Sequence, residues 1–382
     1  MNILYDIFGV PFGFLMSIIY NWCGNYAIAI IIFTIVTKLL LFPINYKTQK
    51  NSARMQLLNP KLEKLRKSFA NNPQRFQEEQ QKLYQQEGYN PMESCMPALI
   101  QMLLLFGVID VIYKPFTHIL RIAKSVRTAA TEITSGLIGK TISTGNLRSE
   151  LLTLEQVDKS PESYQGLSDN FLQSVTEFSQ NFTIFGANLG KTPEFHPETW
   201  TKEALILFLI PFAAGVAQFI SSLYMQIHQK KTNPTAAQAG GCMNVAMLLM
   251  PIWSVMIAFS VPAGIGFYWI WSSLFSFLIT FALNQYFTPE RIKVINEKEK
   301  EKARIYAEKH PEKKTFMQKM MEQQALYDQQ QNGSGLPRTG AGGEKLSRSE
   351  ANKQNRERIN EARRRMAEKY GDVYDENESD DD

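Results

Sequence analysis

Five long apolar stretches dominate this chain of 382 residues. A helix of roughly 20 mostly apolar residues crosses a hydrocarbon core about 30 Å thick, and each stretch meets or approaches that length. Almost no charged residue falls inside them, and Trp22, Trp200 and Tyr224 lie at their ends, as is typical of membrane interfaces. The pattern predicts an all-α membrane protein with a five-transmembrane-helix bundle rather than a large soluble core. The predicted spans are residues 26–46, 95–113, 204–225, 243–259 and 262–286.

The basic residues between the spans predict the orientation of the bundle. Residues 47–91 contain nine Lys and Arg against four Asp and Glu, whereas residues 114–200 contain eight against nine. Because Lys and Arg accumulate in cytoplasmic loops, we expect 47–91 inside and 114–200 outside. The loop 226–242, with two lysines and no acid, then also lies inside. This places the N-terminus outside and the C-terminus in the cytoplasm, and the tight turn at Ser260 to Gly264 makes the last two spans antiparallel neighbours.

The polar segments suggest three further parts. Residues 1–25 predict an amphipathic helix along the outer interface, and no signal peptide is expected because the first basic residue is Lys38. Residues 47–91 predict a basic cytoplasmic helical hairpin broken at Asn71-Asn72-Pro73. Residues 287–382 predict a charged cytoplasmic tail, largely disordered after 331, that could contact lipid headgroups or ribosomal RNA. The basic residues of interest are Arg54, Lys61, Lys64, Arg66 and Lys67 in the hairpin and Arg363, Arg364 and Arg365 in the tail.

The sequence offers no pattern of catalytic or metal-binding residues. The external loop 114–200 is predicted to hold helices near 119–138 and 171–178, and its single histidines His118 and His196 are interpreted as surface groups. The three cysteines lie far apart, in or beside apolar stretches, where cysteine usually behaves as a small hydrophobic residue. We therefore expect neither an enzyme nor a metal or other cofactor.

Lys38 is the one positive charge inside a predicted span. It lies nine residues, or about 13 Å, from Lys47 at the expected cytoplasmic surface, and its stem of roughly 6 Å is too short to reach bulk water. Placing a lysine at such depth costs at least about 2.5 kcal/mol. Asp110 lies near the external end of the second span, at a different level. We therefore expect Lys38 to face a hydrated cavity.

Other polar residues follow the same helix faces. Thr34, Lys38 and Asn45 share one face through spacings of four and seven. Each Ser, Thr or Gln alone is best interpreted as a link between helices. Together with Lys38 they predict a polar groove. The polar residues that the other spans supply are Gln101, Gln218, Ser221, Ser222, Ser272, Ser273 and Ser276. The candidate groove members among these and the first span are Thr34, Thr37, Gln101, Gln218, Ser221 and Ser273.

Three motifs resemble those of the YidC/Oxa family of membrane insertases, in its Gram-positive form. They are IIIFTIVTKLLLFPI (Ile30 to Ile44), NPMESCMPALIQM (Asn90 to Met102) and VPAGIGFYWIWSS (Val261 to Ser273). The family usually has arginine where this chain has Lys38, so the charge is kept but the planar guanidinium fork is not. Trp269 matches an aromatic residue of the family's groove.

The resemblance implies a protein of the bacterial plasma membrane that inserts and helps fold nascent membrane proteins, alone or with the Sec translocon (SecYEG). In that case Lys38 attracts the acidic external part of a substrate, the hairpin receives it, and the basic tail holds a ribosome nearby. Two alternatives remain open. One is a small-solute transporter or channel subunit, because intramembrane charges often mark transport paths. The other is a membrane anchor with a ribosome-binding tail.

Overall fold

Helix-breaking residues divide the chain into thirteen described helices and one short β-hairpin. The computed structural model describes residues 2–143, 145–168, 170–232 and 241–309. Arg363, Arg364, Arg365 and the rest of the tail after Lys309 lie outside the described residues. The chain divides into two compact units at Lys300, and the second is described only for the last residues of one helix. Within the described part the all-α prediction is confirmed.

The helices follow the predicted order closely. A single 3₁₀ turn, Pro161–Tyr164, precedes α9. The elements are α1 (Asn2–Cys23), α2 (Tyr26–Leu40), α3 (Phe42–Ser68), α4 (Pro73–Gln86), α5 (Pro91–Tyr113), α6 (Pro115–His118), α7 (Lys124–Ile138), α8 (Ser149–Lys159), α9 (Phe171–Asn181), β1 (Thr183–Ile184), β2 (Ala187–Asn188), α10 (Lys202–Thr232), α11 (Gly241–Ala258), α12 (Ala263–Tyr286) and α13 (Pro289–Lys309).

The first predicted span is bent rather than straight. Asn25 caps α2, its side-chain oxygen accepting a hydrogen bond from the Ile28 N–H at 3.0 Å. The helix ends at Leu40, and α3 leaves it at an angle of 55°. Pro43 explains the break, because it has no N–H to donate to Leu39 and its ring crowds that carbonyl. α3 therefore begins within the predicted span and runs on through Lys47, where the predicted hairpin starts, and α4 follows after Asn71-Asn72.

Length and composition support two or three membrane crossings among the described residues. α10 and α12 are each long and apolar enough to cross, and the bent pair of α2 and α3 together forms a third candidate. Shorter apolar segments occupy Ile7–Cys23, Leu99–Tyr113 and Leu249–Ala258. The count of five spans stays a prediction.

α1 packs closely along α5 and also against α2. Its glycines allow this approach: a Cβ at Gly9 would lie 2.1 Å from Asp110 Oδ2, and one at Gly13 would lie 2.4 Å from His118 Nδ1. The opposite face of α1 is apolar and exposed, with Val10 and Phe14 among its residues. The predicted helix is confirmed, while its position along the interface stays a prediction.

The end of the bundle where α2, α10 and α12 begin is called the outer end, and the opposite end the inner end. Residues 114–200 form a small folded segment over the outer end, with helices α7 and α9 where helices were predicted, and with α8 and the hairpin in addition. Its backbone bonds directly to the start of α12, because Leu189 and Lys191 carbonyls accept from the N–H groups of Gly264 and Ala263 at 2.8 and 2.9 Å.

Aromatic side chains fill the space beneath this segment. Tyr26, at the start of α2, packs edge-on against Phe182 and Phe178 at ring distances of 4.6 and 5.3 Å. All three rings are fully buried. At the other side of the bundle, α11 and α12 contact each other as the tight turn predicts, but both pack more extensively against α10.

Candidate functional site

The Lys38 ammonium lies between three helices. Its side chain is on α2, and its Nζ donates to Gln101 Oε1 on α5 at 3.1 Å and to Ser276 Oγ on α12 at 2.7 Å. Only 5% of the residue is exposed. Among the side chains that the structure describes, no carboxylate pairs with Lys38. The charge is thus held by neutral oxygen acceptors, which use two of its three N–H donors.

A cavity of about 300 Å³ adjoins this ammonium. Its volume is far above the roughly 10–15 Å³ that one water molecule needs, and its polar lining offers the partners that water requires. The cavity extends from Lys38 toward the inner end, since its other residues on α3 and α12 come after Lys38 and Ser276 along helices that run that way. It is lined by Lys38, Leu41, Ile44, Asn45, Ile100, Gln101, Ser276, Ile279 and Thr280.

Toward the outer end the bundle is filled by apolar side chains. Phe33 and Ile30, about one and two turns before Lys38 on α2, are fully buried. Phe12 of α1 meets Phe33 edge-on at 5.7 Å. The described structure therefore supports a polar recess that is packed shut on its outer side.

Thr34 and Thr37 do not line the recess. Their hydroxyls donate to carbonyls of their own helix, Ile30 at 2.7 Å and Phe33 at 2.9 Å respectively. Such bonds to the preceding turn are a common way for a buried threonine to satisfy its hydroxyl. Both residues lie beside the site, and their hydroxyls form hydrogen bonds within α2.

The remaining predicted residues lie on the helices that surround the site. Gln218 and Ser221 are half-buried on α10, and Trp269 and Ser273 are half-buried on α12. None of them is among the residues lining the described cavity. The structure thus brings Lys38 and Gln101 together, with Ser276 and Asn45. Thr280 was missed, although its spacing of four from Ser276 was a usable signal.

One turn below the cavity, side chains join three helices. Gln49 on α3 donates its amide to Asn284 Oδ1 on α12, and Asn284 Nδ2 donates to the Tyr224 hydroxyl on α10 at 3.1 Å. Gln49 and Asn284 follow the lining residues Asn45 and Thr280 by four positions each. This group of Gln49, Asn284 and Tyr224, here called the inner bridge, forms the floor of the recess.

Some basic side chains of the hairpin form ion pairs with glutamates of this chain. Lys50 and Arg54 both pair with Glu299, in the middle of α13. Lys61 and Lys300 pair with Glu87. Of the five predicted basic side chains, the ones on the exposed face of the hairpin are Lys61, Lys64, Arg66 and Lys67.

These neighbours shift the pKa of the Glu87 carboxyl. Burial raises the pKa of its carboxyl, but hydrogen bonds and charge from Lys300 and Lys61 outweigh burial and hold the pKa below its ordinary value of 4.5. The carboxylate therefore stays charged over the physiological pH range and ties α4 to both partners.

His118 was predicted to be a surface group, and that prediction is wrong. It is buried, and its Nε2 lies 2.6 Å from Asp110 Oδ2, while Lys114 Nζ lies 2.5 Å from Asp110 Oδ1. The spacing Asp110, Lys114, His118 repeats every four residues, which was the missed signal. α6, which carries His118, packs against α1, and the glycine face of α1 covers the cluster. His196, in contrast, is exposed as predicted.

Comparison with known proteins gives a consistent result. The family model described as 60Kd inner membrane protein matches residues 18–291 of this chain. The membrane protein insertase YidC of Clostridium tetani is 38% identical over 107 residues, covering 28% of this chain and 49% of the relative. The protein of that name from Granulibacter bethesdensis is 36% identical over 103 residues, covering 27% and 18%.

A longer match comes from Brucella suis, whose membrane protein insertase YidC is 24% identical over 268 residues, covering 70% of this chain and 34% of the relative. This chain thus spans less than half the length of each of these three curated relatives. The family model covers well over half of the chain, including every residue that lines the cavity. The chain therefore belongs to the 60Kd inner membrane protein family, the YidC/Oxa family, and is a membrane-embedded bacterial protein.

Proposed function

We propose that this protein inserts and helps fold nascent membrane proteins, with the recess at Lys38 as the polar part of its path. The observation that carries the proposal is the buried Lys38 ammonium beside a cavity. Its hydrogen-bond partners among the described residues, Gln101 and Ser276, are both neutral. A cation in this setting keeps its capacity to attract a carboxylate. The relatives from Clostridium tetani and Brucella suis are membrane protein insertases, which agrees with this function.

The recess acts on the costliest step of insertion. An acidic residue at the centre of a membrane-spanning helix costs about 2.5–3.5 kcal/mol. A hydrated recess with a positive charge lowers that cost for the polar external part of a substrate. The apolar part of the substrate then moves past Trp269 into lipid. Because the outer side is packed with apolar residues, the substrate enters from the inner end.

The finer architecture belongs to the same proposal. It comprises five spans with the N-terminus outside and the C-terminus in the cytoplasm, and a hairpin at 47–91 that first receives the substrate. Lys64, Arg66 and Lys67 are exposed and suit such a contact. The tail residues Arg363, Arg364 and Arg365 would hold a ribosome, and SecYEG would serve as a partner for some substrates.

The test is complementation in cells depleted of their own insertase. The readout is insertion of a single-span substrate with an acidic external segment, compared with the same substrate made neutral. Lys38→Ala should reduce insertion of the acidic substrate about tenfold, as expected for loss of roughly 1.4 kcal/mol of ion attraction. Lys38→Arg should retain most of it. Lys140→Ala, at an exposed position just after α7 in the external segment, is the matched control.

Each outcome bears on a different part of the proposal. Equal rescue by Lys38→Ala and the native chain would remove the charge requirement but leave the insertase function. Failure of the native chain to rescue either substrate would contradict the function itself. A small-solute channel also fits a buried cation beside a cavity, and solute flux in proteoliposomes without any substrate protein would favour that alternative.

A further inference from the structure

The loop that joins β1 to β2 has an unusual residue for its backbone geometry. It consists of two residues, Phe185 and Gly186, whose φ angles are +53° and +88°. Positive φ at both positions is the mark of a type I′ turn, in which Asn, Asp or Gly is strongly preferred at the first position. A bulky side chain at positive φ is a genuine outlier and points to a function or a strain.

Packing among the described residues does not account for Phe185 at this position. Phe185 is 78% exposed, among the most exposed large apolar side chains of the described residues. Its ring meets no other aromatic ring in the part of the chain that the structure describes. The neighbouring Phe182 is fully buried, and Ile184 packs against the main core. The hairpin is thus anchored by its base and presents Phe185 outward.

The hairpin lies beside the start of the apolar helix α2, at the outer end of the bundle. Phe182, at its base, contacts Tyr26, the first residue of α2. Trp22, just before α2 begins, is also highly exposed. The ten residues from Asn181 to Gly190 (NFTIFGANLG) contain no charge, although the segment 114–200 contains eight basic and nine acidic residues. An uncharged, aromatic tip beside the end of an apolar helix suits the headgroup region of a bilayer.

We propose that the hairpin tip is a lipid contact: Phe185 inserts into the headgroup region of the outer leaflet and fixes the external segment to the membrane surface. The cost of the turn geometry is offset there by transfer of an exposed ring from water. The proposal rests on the membrane setting of the chain and not on insertase activity, so either can fail without the other.

The direct test places a fluorescent probe at the tip. Phe185→Cys, in a background with Cys23, Cys95 and Cys242 changed to Ser, is labelled with an environment-sensitive dye and reconstituted into phosphatidylcholine–phosphatidylglycerol vesicles. Gln165→Cys, exposed in the same external segment, is the matched control. The dye at 185 should show blue-shifted emission and quenching by lipids that carry a nitroxide near the headgroup. The dye at 165 should instead be quenched by aqueous iodide. Equal iodide quenching and no lipid quenching at 185 would overturn the proposal.

A second measurement places the dye at a neighbouring position, so that the side chain at 185 can be varied. The dye is attached at Thr183→Cys, and Phe185 is then changed to Asn or Trp. Phe185→Asn creates the favoured Asn-Gly turn, so the hairpin should keep its fold, with an unchanged or higher Tm in detergent. Lipid quenching at 183 should be lost with Asn and kept with Trp. Unchanged quenching with Asn would show that Phe185 does not hold the tip at the membrane.

Discussion

The two ends of this bundle are held together by different kinds of contact. At the outer end, Tyr26 and Phe182 are fully buried, and backbone groups of Leu189 and Gly264 bond directly across the segment boundary. At the inner end, the apolar cluster around Leu283 and Phe287 is smaller, and polar side chains add further links through the inner bridge and the ion pairs of Glu299.

The difference indicates which end can open. Neither water nor a polar peptide can replace the contacts between packed apolar side chains. Separating such side chains therefore exposes apolar surface, at a cost of about 25 cal/mol per Å². A side-chain hydrogen bond contributes only about 0.5–1.5 kcal/mol net, because water or a substrate offers replacement partners. We therefore propose that a polar segment reaches Lys38 through the inner end.

The largest expected effect is at the outer end. Gly9→Ala and Gly13→Ala would drive a methyl group into Asp110 and His118, whose cluster is buried. Overpacking of this kind costs about 1–3 kcal/mol. Thermal unfolding in detergent should show a clearly lower Tm for both variants. Gly136→Ala on α7, where no neighbour lies within 4 Å, is the control and should be neutral or stabilising by up to about 1 kcal/mol. Equal Tm values for all three would show that the outer end is not tightly packed.

A smaller effect is expected at the inner bridge. Asn284→Leu removes two side-chain hydrogen bonds, and a loss of about 1 kcal/mol should raise the open population about fivefold. The measurement is the rate at which a charged maleimide alkylates Ser276→Cys in a background without native cysteines. Gln229→Leu, exposed on the inner part of α10, is the control. A rate unchanged by Asn284→Leu would mean that the bridge does not limit access.

The hairpin attachment should respond more weakly still. Glu299→Gln leaves Lys50 and Arg54 without their carboxylate, and partly exposed pairs of this type contribute about 1 kcal/mol or less. Hydrogen exchange of α3 and α4 should increase, and added salt should have the same effect on the native chain. Glu63→Gln, which removes only an exposed pair with Lys67, is the control. Equal exchange in both variants would contradict a role for Glu299 in holding the hairpin.

The smallest effect concerns pH. The folded pKa of Glu87 lies below its ordinary value of 4.5, so its contribution is complete above that value and is lost as the pH falls through the lowered pKa. Protection of α4 against hydrogen exchange, corrected for intrinsic rates, should therefore be constant down to about pH 4.5 and fall below it. Glu87→Gln should be less protected and show less dependence on pH. A steep loss of protection near pH 6 in the native chain would assign the transition to another group.

Sequence reasoning reached the elements and the central residue of the site. The lengths of the apolar stretches, and the Pro or Asn residues that end them, predicted most helices. The depth of Lys38 in its predicted span singled it out, and Gln101 was among the candidate groove residues beside it. It did not place Trp269 or Gln218 relative to the cavity, because helix rotation depends on packing between helices distant in sequence. It also missed that His118 is buried, since the cover is supplied by the glycine face of α1, about a hundred residues earlier in the chain.

The bend at Leu41 would allow α3 to rotate as a lever about a pivot close to Lys38. This helix of 27 residues is about 40 Å long, and its pivot lies only three residues from Lys38. A swing of roughly 10° would carry the far tip through about 7 Å, while Asn45 would shift by only about 1 Å. A weak force from a substrate on the far end of α3 would thus become a larger force, over a shorter distance, on the residues that line the cavity at Lys38.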